Sequence, residues 1–280
     1  KYVLLVGGDT YDYRNYLGQT TVSFIPSLYA PTGDLVQFAP VDPLYADIDD
    51  DGVPDLPIGR FPVRTAAELD SLVTKTLLYE ARDYKHTAIF AADAFDGRTS
   101  FAADSESLIR QLGAGWSVQR AYIDELGVGG ARELLLAAVN EGVALTNYVG
   151  HSGYANWSFA GLFQLADAAT LTNAGRPTVV VQWGCWNTWY VSPSYDTLSA
   201  ALLLSGDHGA AAVMGASTLT MASSEEALGR LVIPRLTQQG VTIGAAVQAA
   251  KAELSATQPD KADVLLGWTI LGDPALMIEP

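Results

Sequence analysis

Short apolar segments alternate with amphipathic segments along the whole chain, and this alternation constrains the fold more than any other feature. Six apolar runs have the length of buried strands: Tyr2–Val6, Thr87–Ala91, Ser117–Tyr122, Val143–Tyr148, Thr178–Gln182 and Ala210–Met214. The intervening segments carry apolar residues at helical spacing: Ala66–Tyr84, Asp104–Leu112, Gly129–Asn140, Leu198–Leu204, Ser224–Gln238 and Ile243–Thr257. Strands that are apolar throughout are typically covered by helices on both faces. The sequence therefore predicts an α/β fold in which a mostly parallel sheet lies between helices.

The length of the chain bounds its domain organisation. With 280 residues, it can form one large domain or two closely packed subdomains. We place an internal boundary near Asp83–His86, which gives a first unit at residues 1–85 and a second at residues 86–280. Because a strand pattern begins at once with KYVLLVGGDT, we expect this chain to be part of a longer multidomain precursor.

Charge and hydropathy exclude two classes of partner. The chain has 16 basic and 31 acidic residues, for a net charge of −15. Such a surface repels nucleic-acid phosphates and anionic lipids, so we expect no nucleic-acid partner. No apolar run reaches the roughly 18 residues that a membrane-spanning helix needs, and we expect no membrane insertion.

Three residues with reactive side chains each follow a different predicted strand. Asp93 follows TAIFAA, His151 follows VALTNYVG, and Cys185 follows TVVVQWG and is the only cysteine. Functional residues of parallel sheets collect past the carboxyl ends of the strands, so we expect these side chains to converge. A lone buried cysteine is often an apolar filler. A histidine at a neighbouring strand end, however, can activate a thiol for nucleophilic attack, and the sequence favours a catalytic His151–Cys185 pair.

The segment DIDDDGVPD concentrates carboxylates around a glycine turn. Its spacing matches the first nine positions of an EF-hand loop, but Ile58 stands where the twelfth-position glutamate would be. Clustered carboxylates repel one another unless a cation is bound. We therefore predict a structural Ca²⁺ site, with a solvated acidic turn as the alternative, and no organic cofactor. The predicted ligand residues are Asp47, Asp49, Asp51, Val53 and Asp55.

The pattern strand–GHSG, followed later by strand–GC, resembles the caspase-like cysteine peptidases, and within them the gingipain family. Further stretches of that family occur in the same order: KYVLLVGGD, PDLPIGRFPVRTAAEL, GASTLT and WTILGDPAL. This resemblance covers nearly the whole chain. It implies a caspase-like fold and a cysteine endopeptidase acting on peptide or protein substrates, with Cys185 as nucleophile and His151 as acid/base. It also implies a secreted or cell-surface bacterial location, and it raises the expectation of calcium.

The resemblance assigns roles around the pair as well. Backbone N–H groups of Ser152 or Gly153, together with that of Cys185, would form an oxyanion hole. The family usually has His-Gly-Ser at this place, so the two small residues are exchanged here. Asp93 would orient the imidazole, with Asp96 as the alternate, although DAFDG also suits a simple turn.

Gingipains prefer a basic residue before the scissile bond, which implies an acidic pocket. Asp96 and Asp104 are candidates for its base, but neighbouring Arg98 leaves the sign of the charge open, and Asp104 also suits a helix N-cap. The remaining predicted pocket residues are Trp183, Trp186 and Met221.

Two other functions stay open at this point. One is a non-catalytic module of the same fold in a secretion or adhesion system, with Trp183 or Trp186 filling the cleft. The other is a peptidase that processes only its own precursor.

Overall fold

The computed structural model describes residues 1–194 and 196–278. The strands are β1 (Val3–Val6), β2 (Tyr29–Ala30), β3 (Ala39–Pro40), β4 (Ile58–Phe61), β5 (Thr87–Ala92), β6 (Ser117–Tyr122), β7 (Leu145–Val149), β8 (Ser152–Gly153), β9 (Asn156–Trp157), β10 (Phe163–Gln164), β11 (Thr178–Trp183), β12 (Ala210–Ala216) and β13 (Trp268–Leu271). The helices are α1 (Ala66–Glu80), α2 (Phe101–Ile109), α3 (Ile123–Glu141), α4 (Leu165–Ala168), α5 (Leu198–Leu204), α6 (Ala222–Leu236), α7 (Ile243–Thr257) and α8 (Ala262–Leu265), and Asp42–Ala46 form a 3₁₀ helix.

Eight strands form one central sheet in the order β1-β4-β13-β12-β11-β7-β5-β6. Neighbouring strands are parallel except for β12 and β13, which run antiparallel. Two small antiparallel sheets, β10-β9-β8 and β2-β3, lie outside it. All six strands predicted from the sequence are present, which confirms the α/β fold with a mostly parallel sheet.

Helices cover both faces of this sheet, and each face has its own core. Val179 and Val181 of β11 belong to the cluster that includes residues of α2, α6 and α7. Val180 belongs to the opposite cluster, which includes residues of α1, α3 and α5. Successive side chains of a strand point to opposite faces. Because both faces are covered, all six residues of β11 are buried. This burial explains why its sequence is mostly apolar.

The starts of two helices differ from the sequence prediction in a way that affects the site. Helix α2 begins at Phe101, and the Ser100 hydroxyl caps it by accepting a hydrogen bond from the Ala103 N–H. Asp104 is therefore inside the first turn, and its interpretation as an N-cap is wrong. Helix α6 begins at Ala222, two residues before the expected start.

The first 85 residues contribute to the same sheet as the rest of the chain. Strand β4 pairs with the C-terminal strand β13 through Arg60 and Leu271, and α1 packs against β12 and α5. The division into units at residues 1–85 and 86–280 stays a prediction. Among the described residues, none of the helices has the length and apolarity needed to span a membrane.

Candidate active site

Strand register brings the carboxyl ends of β5, β7 and β11 to one edge of the sheet. Val149 of β7 lies between Ala92 of β5 and Trp183 of β11. The next residues are therefore neighbours too, and His151 and Cys185 each come two residues after this level on adjacent strands. The predicted convergence of the histidine and the cysteine thus follows from the order of the strands.

Two glycines allow these strand ends to approach closely. The N–H of Gly150 donates to the Trp183 carbonyl at 2.9 Å. A Cβ at Gly184 would collide with the Gly150 carbonyl and with the Ser152 hydroxyl. Only glycine fits at Gly184, because the backbone that leads to the histidine passes where a side chain would be.

The His151 side chain is 47% exposed and is held from three directions. Its Nε2 lies 3.0 Å from Asp96 Oδ2. The ring packs edge-on against Phe101 with centroids 5.1 Å apart, and stacks on Phe159 at 5.8 Å. Behind it, the buried Tyr148 hydroxyl donates to the His151 carbonyl at 2.6 Å. The imidazole is therefore accessible to a substrate yet fixed in orientation.

The carboxylate that contacts the imidazole is the alternate, Asp96, and not Asp93. Asp93 is 6% exposed, and its Oδ1 accepts from the Ala94 N–H at 2.8 Å. It lies level with Gly150, whereas the His151 ring projects beyond the sheet edge and over the following loop. The carboxylate that reaches the imidazole is therefore that of Asp96, three residues after Asp93 in that loop. Hydrogen bonds from the Thr99 and Arg98 backbone, and from His151, lower the pKa of Asp96.

Cys185 is a free, half-buried thiol, and among the described residues its polar contacts are all with Thr220. Its Sγ lies 3.5 Å from the Thr220 N, 3.6 Å from the Thr220 Oγ1 and 3.6 Å from the Thr220 carbonyl oxygen. Burial raises the pKa of the thiol, whereas hydrogen bonds from the Thr220 backbone and hydroxyl lower it by less. The resting group is therefore a thiol, because burial disfavours the thiolate.

Ser152 and Gly153 lie in the short strand β8, opposite Trp157 and Asn156 of β9. The Ser152 hydroxyl donates to the Cys185 carbonyl at 2.8 Å, so it ties the histidine segment to the cysteine segment. The oxyanion-hole role of the backbone N–H groups of Ser152, Gly153 and Cys185 stays a prediction.

The two tryptophans beside Cys185 have different surroundings. Trp183 is 2% exposed, its ring stacks on Trp268 at 4.9 Å, and its Nε1 donates to Asn147 at 2.9 Å. Its ring is therefore part of the core, and it also lines the smaller cavity described below, so its role as a pocket residue stays a prediction. Trp186 is half-buried and lies edge-on to Trp189, with centroids 5.9 Å apart.

Two concave regions lie near the thiol, one lined by Thr220 and the other by Trp183 and Glu225. A cleft is formed by the β2–β3 hairpin, the segment 219–224 and the segment 260–263, and Met221, 67% exposed, lies on its wall. A smaller cavity lies on the other side, beneath α2 and α6, and Asp104, Phe101, Leu108 and an edge of Trp183 line it. Of the two predicted acidic pocket residues, Asp104 lines this cavity, while Asp96 is engaged with His151.

The acidic loop lies outside this site, between the 3₁₀ helix and β4. Carboxylate oxygens of Asp47, Asp49 and Asp55 lie within 4.8 Å of one another. The charges of Asp51 and Asp55 are the main causes that raise the pKa of Asp49. Asp51 does not belong to this cluster, and its Oδ1 accepts from the Val53 N–H at 2.9 Å. Three clustered carboxylates suit a hard cation that prefers oxygen ligands.

Several residues around the pair could not be selected from the sequence. Phe101 and Phe159 contact the imidazole from separate segments, and no local pattern links them to His151. Thr220 falls within GASTLT, which was recognised as a motif without a role for this threonine. Glu225 sits in the first turn of α6, where an acidic residue is common for reasons of helix electrostatics alone.

Comparison with known proteins gives a consistent result. The complex of Porphyromonas gingivalis RgpB pro- and mature domains matches with a TM-score of 0.79 at 20% identity, over 99% of this chain and 65% of that chain. The Arg-specific cysteine proteinase gingipain R (RgpB) gives 0.76 at 20% identity, over 99% and 64%. The Saccharomyces cerevisiae separase–securin complex gives 0.53 at 15% identity, over 79% and 14%. A search among curated proteins found no matching sequence.

The structural likeness establishes a caspase-like fold, and the chain spans about 65% of the length of the RgpB chain. The family model of peptidase family C25 matches residues 1–279. A match over nearly the whole length agrees with the ordered motifs and with the strand-end positions of His151 and Cys185. The protein belongs to peptidase family C25, the gingipain family.

Proposed function

We propose that this protein is a cysteine endopeptidase in which Cys185 is the nucleophile and His151 the proton-transfer group. The observation that carries the proposal is the strand register, which places an exposed imidazole and a free thiol past the ends of adjacent strands β7 and β11. Membership in family C25 supports the reaction class.

The chemistry follows from these two groups. As Sγ attacks the scissile carbonyl carbon, the thiol proton passes to His151, and His151 delivers it to the amine as the C–N bond breaks. Water then hydrolyses the acyl-enzyme and restores the thiol. Asp96 holds the imidazole and stabilises its protonated form. Since the thiol is protonated at rest, thiolate formation is coupled to substrate binding, and His151 and Sγ need no contact beforehand.

We further propose that the enzyme prefers a basic residue before the scissile bond. Asp104 supports this preference because it is half-buried, lines the smaller cavity, and is not occupied by His151. Burial raises the pKa of Asp104, which indicates a carboxyl group without enough polar partners. A substrate ammonium or guanidinium group would supply the missing partner.

For the acidic loop we propose a structural Ca²⁺ site formed by Asp47, Asp49 and Asp55, with the Val53 carbonyl as a further ligand. The cluster of these three carboxylates supports it, and Asp51 is left out because it does not belong to the cluster. The loop precedes β4 and so stiffens the entry to the central sheet. It has no part in the thiol chemistry.

We also propose that the protein acts outside a bacterial cell or at its surface, as part of a longer chain. Family membership supports this proposal, as does the solved RgpB complex, which contains a pro-domain beside the mature domain. The position of Trp183 in the core speaks against a non-catalytic module whose cleft is filled by that residue.

A peptide-library cleavage profile tests the proposed function. The wild-type protein should cleave, with Arg or Lys enriched before the cut, whereas the Cys185→Ala variant should give no cuts. The Asp104→Asn variant should lower kcat/KM for basic substrates by about tenfold, equivalent to about 1.4 kcal/mol. Equal cleavage by wild type and Cys185→Ala would show that Cys185 is not the nucleophile. An unchanged preference for basic residues in Asp104→Asn would show that Asp104 does not bind the basic side chain.

A further inference from the structure

A buried acid lies directly behind the nucleophile and has no role in the proposed reaction. Glu225, in the first turn of α6, is 8% exposed. Its Oε1 accepts a hydrogen bond from the Thr220 hydroxyl at 2.7 Å. The backbone of Gly184, the residue before Cys185, also acts on the charge of this carboxyl group. One side chain is therefore hydrogen-bonded to the segment that follows β12 and lies beside the turn that follows β11.

Both of these segments form the surroundings of the thiol. Thr220 contributes its N, Oγ1 and carbonyl oxygen within 3.6 Å of Sγ, and its hydroxyl is shared between Sγ and Glu225. Gly184 fixes the position of the Cys185 backbone, since it is wedged against Gly150. If the carboxyl group were removed, Thr220 would lose its acceptor and the two segments would no longer be tied together.

We propose that Glu225 is a positioning residue for the nucleophile, which holds Gly184 and Thr220 together so that Thr220 encloses the Cys185 sulfur. This inference rests on the proposed function of Cys185. It gives Glu225, which also lines the smaller cavity, a role that acts through Thr220 and not through the reacting atoms. A buried acid is costly to retain where an apolar residue would fill the same space. Its presence here is explained by the hydrogen bond that it accepts from Thr220 and by the Gly184 backbone beside it.

The charge state of Glu225 should also affect the thiol. Burial raises the pKa of Glu225 to about 8, and nearby Asp263 of α8 acts in the same direction. The other titratable groups that interact with it are Cys185 and Tyr148. Below about pH 8 the group is neutral, and it becomes negative as the pH rises through that value. A negative charge there opposes thiolate formation, so removing the charge should let Cys185 ionise at lower pH.

The experiment measures the rate of Cys185 carbamidomethylation by iodoacetamide against pH, in the folded protein. Glu225→Gln keeps an acceptor but no charge, and its profile should shift to lower pH than that of wild type. Glu253→Gln is the matched control, because Glu253 lies on the neighbouring helix α7 and pairs with Arg235 at the surface. Its profile should superpose on that of wild type.

Peptide turnover supplies the second measurement. Glu225→Ala should reduce kcat by about 100-fold with little change in KM, as expected for a displaced reacting group, and Glu225→Gln should restore most of the loss. If Glu225→Ala does not fold, Thr220→Val takes its place, because it removes the hydroxyl that Glu225 holds, and its kcat should fall likewise. An unchanged kcat in the folded Glu225→Ala or Thr220→Val variant overturns the inference. A wild-type protein that is alkylated normally but cleaves nothing would contradict the proposed function instead. In that case the carbamidomethylation rate of Glu225→Ala, which should differ from that of wild type, still tests whether Glu225 positions the thiol.

Discussion

Arg60, within strand β4, follows a glycine, as do His151 and Cys185 after strands β7 and β11, yet the surroundings of these polar residues are opposite. At the first place, Arg60 is fully buried and pairs with Asp42 through two bonds of 2.7 Å. Arg60 also donates to the carbonyls of Gly7 and Ile25, and Asp42 accepts from the Tyr190 hydroxyl at 2.7 Å. We call this group the Arg60 network.

At the second place, the polar groups are only partly satisfied and partly exposed. The His151 side chain is 47% exposed and has one charged partner, and the Cys185 thiol has only weak sulfur contacts to Thr220. A buried ion pair with all its bonds made stabilises a single structure, because breaking it leaves an uncompensated charge. An accessible, incompletely paired group is free to exchange a proton. A polar residue after a glycine occurs at both places, and the pairing of that residue distinguishes a structural role from a chemical one.

The largest expected effect on chemistry comes from removing the imidazole. His151→Ala should lower kcat by about 10²–10⁴-fold, the usual contribution of a positioned acid or base, with the unfolding free energy nearly unchanged. Steady-state kinetics on the best library peptide, with urea unfolding as the control for folding, gives both quantities. A loss below tenfold would show that another group transfers the proton.

The largest expected effect on stability comes from the Arg60 network. Arg60→Met should lower the unfolding free energy by about 3–5 kcal/mol, because Asp42 is left buried without its cation. Urea unfolding measures this change, and Cys185→Ala serves as the control that should leave stability within about 0.5 kcal/mol. The folded fraction of Arg60→Met should still react with iodoacetamide at the wild-type rate. A slower reaction would mean that the two regions are coupled.

A smaller effect distinguishes the two aspartates near His151. Asp96→Asn should reduce kcat by about 10–100-fold, because the imidazolium loses its charged partner. The pKa of Asp96 is lowered in the folded protein. The contribution of Asp96 to folding stability is therefore present above its unfolded pKa and is lost as the pH falls through the folded pKa. Asp93→Asn is the matched comparison and should leave kcat within about threefold. The reverse ranking of the two variants would restore Asp93 as the orienting residue.

The smallest expected effect concerns the acidic loop. Adding a chelator should lower Tm by about 2–4 °C, corresponding to about 1 kcal/mol for a chain of this size. The Asp47→Asn/Asp49→Asn variant should show no such response to chelator. Equal melting of the wild-type protein with and without chelator would argue for the solvated acidic turn.

Much of the fold could be predicted from the sequence because the strands are buried on both faces. Strand β6 and helices α5 and α7 have the predicted bounds, and other ends differ by a few residues. The antiparallel strand β13 and its place between β4 and β12 could not be predicted. The order of strands depends on long-range packing that a local apolar pattern does not record.

The site shows the same limit. His151 and Cys185 were predicted because each follows a strand, and that signal is local. The choice between Asp93 and Asp96 depends on how far the imidazole projects beyond the sheet, and a spacing of three residues does not encode that distance. Thr220 and Glu225 reach the thiol only because β12 lies beside β11. Such contacts become visible when the sheet order is known.

The most direct test of the account is to map where a peptidyl thiol-reactive probe attaches. The folded wild-type protein should gain one probe mass, located by tandem mass spectrometry on Cys185, and His151→Ala should label much more slowly. Cys185→Ala should gain no probe mass under the same conditions. Probe attached at any other residue of Cys185→Ala, with peptide cleavage retained, would contradict the assignment of Cys185 as the nucleophile.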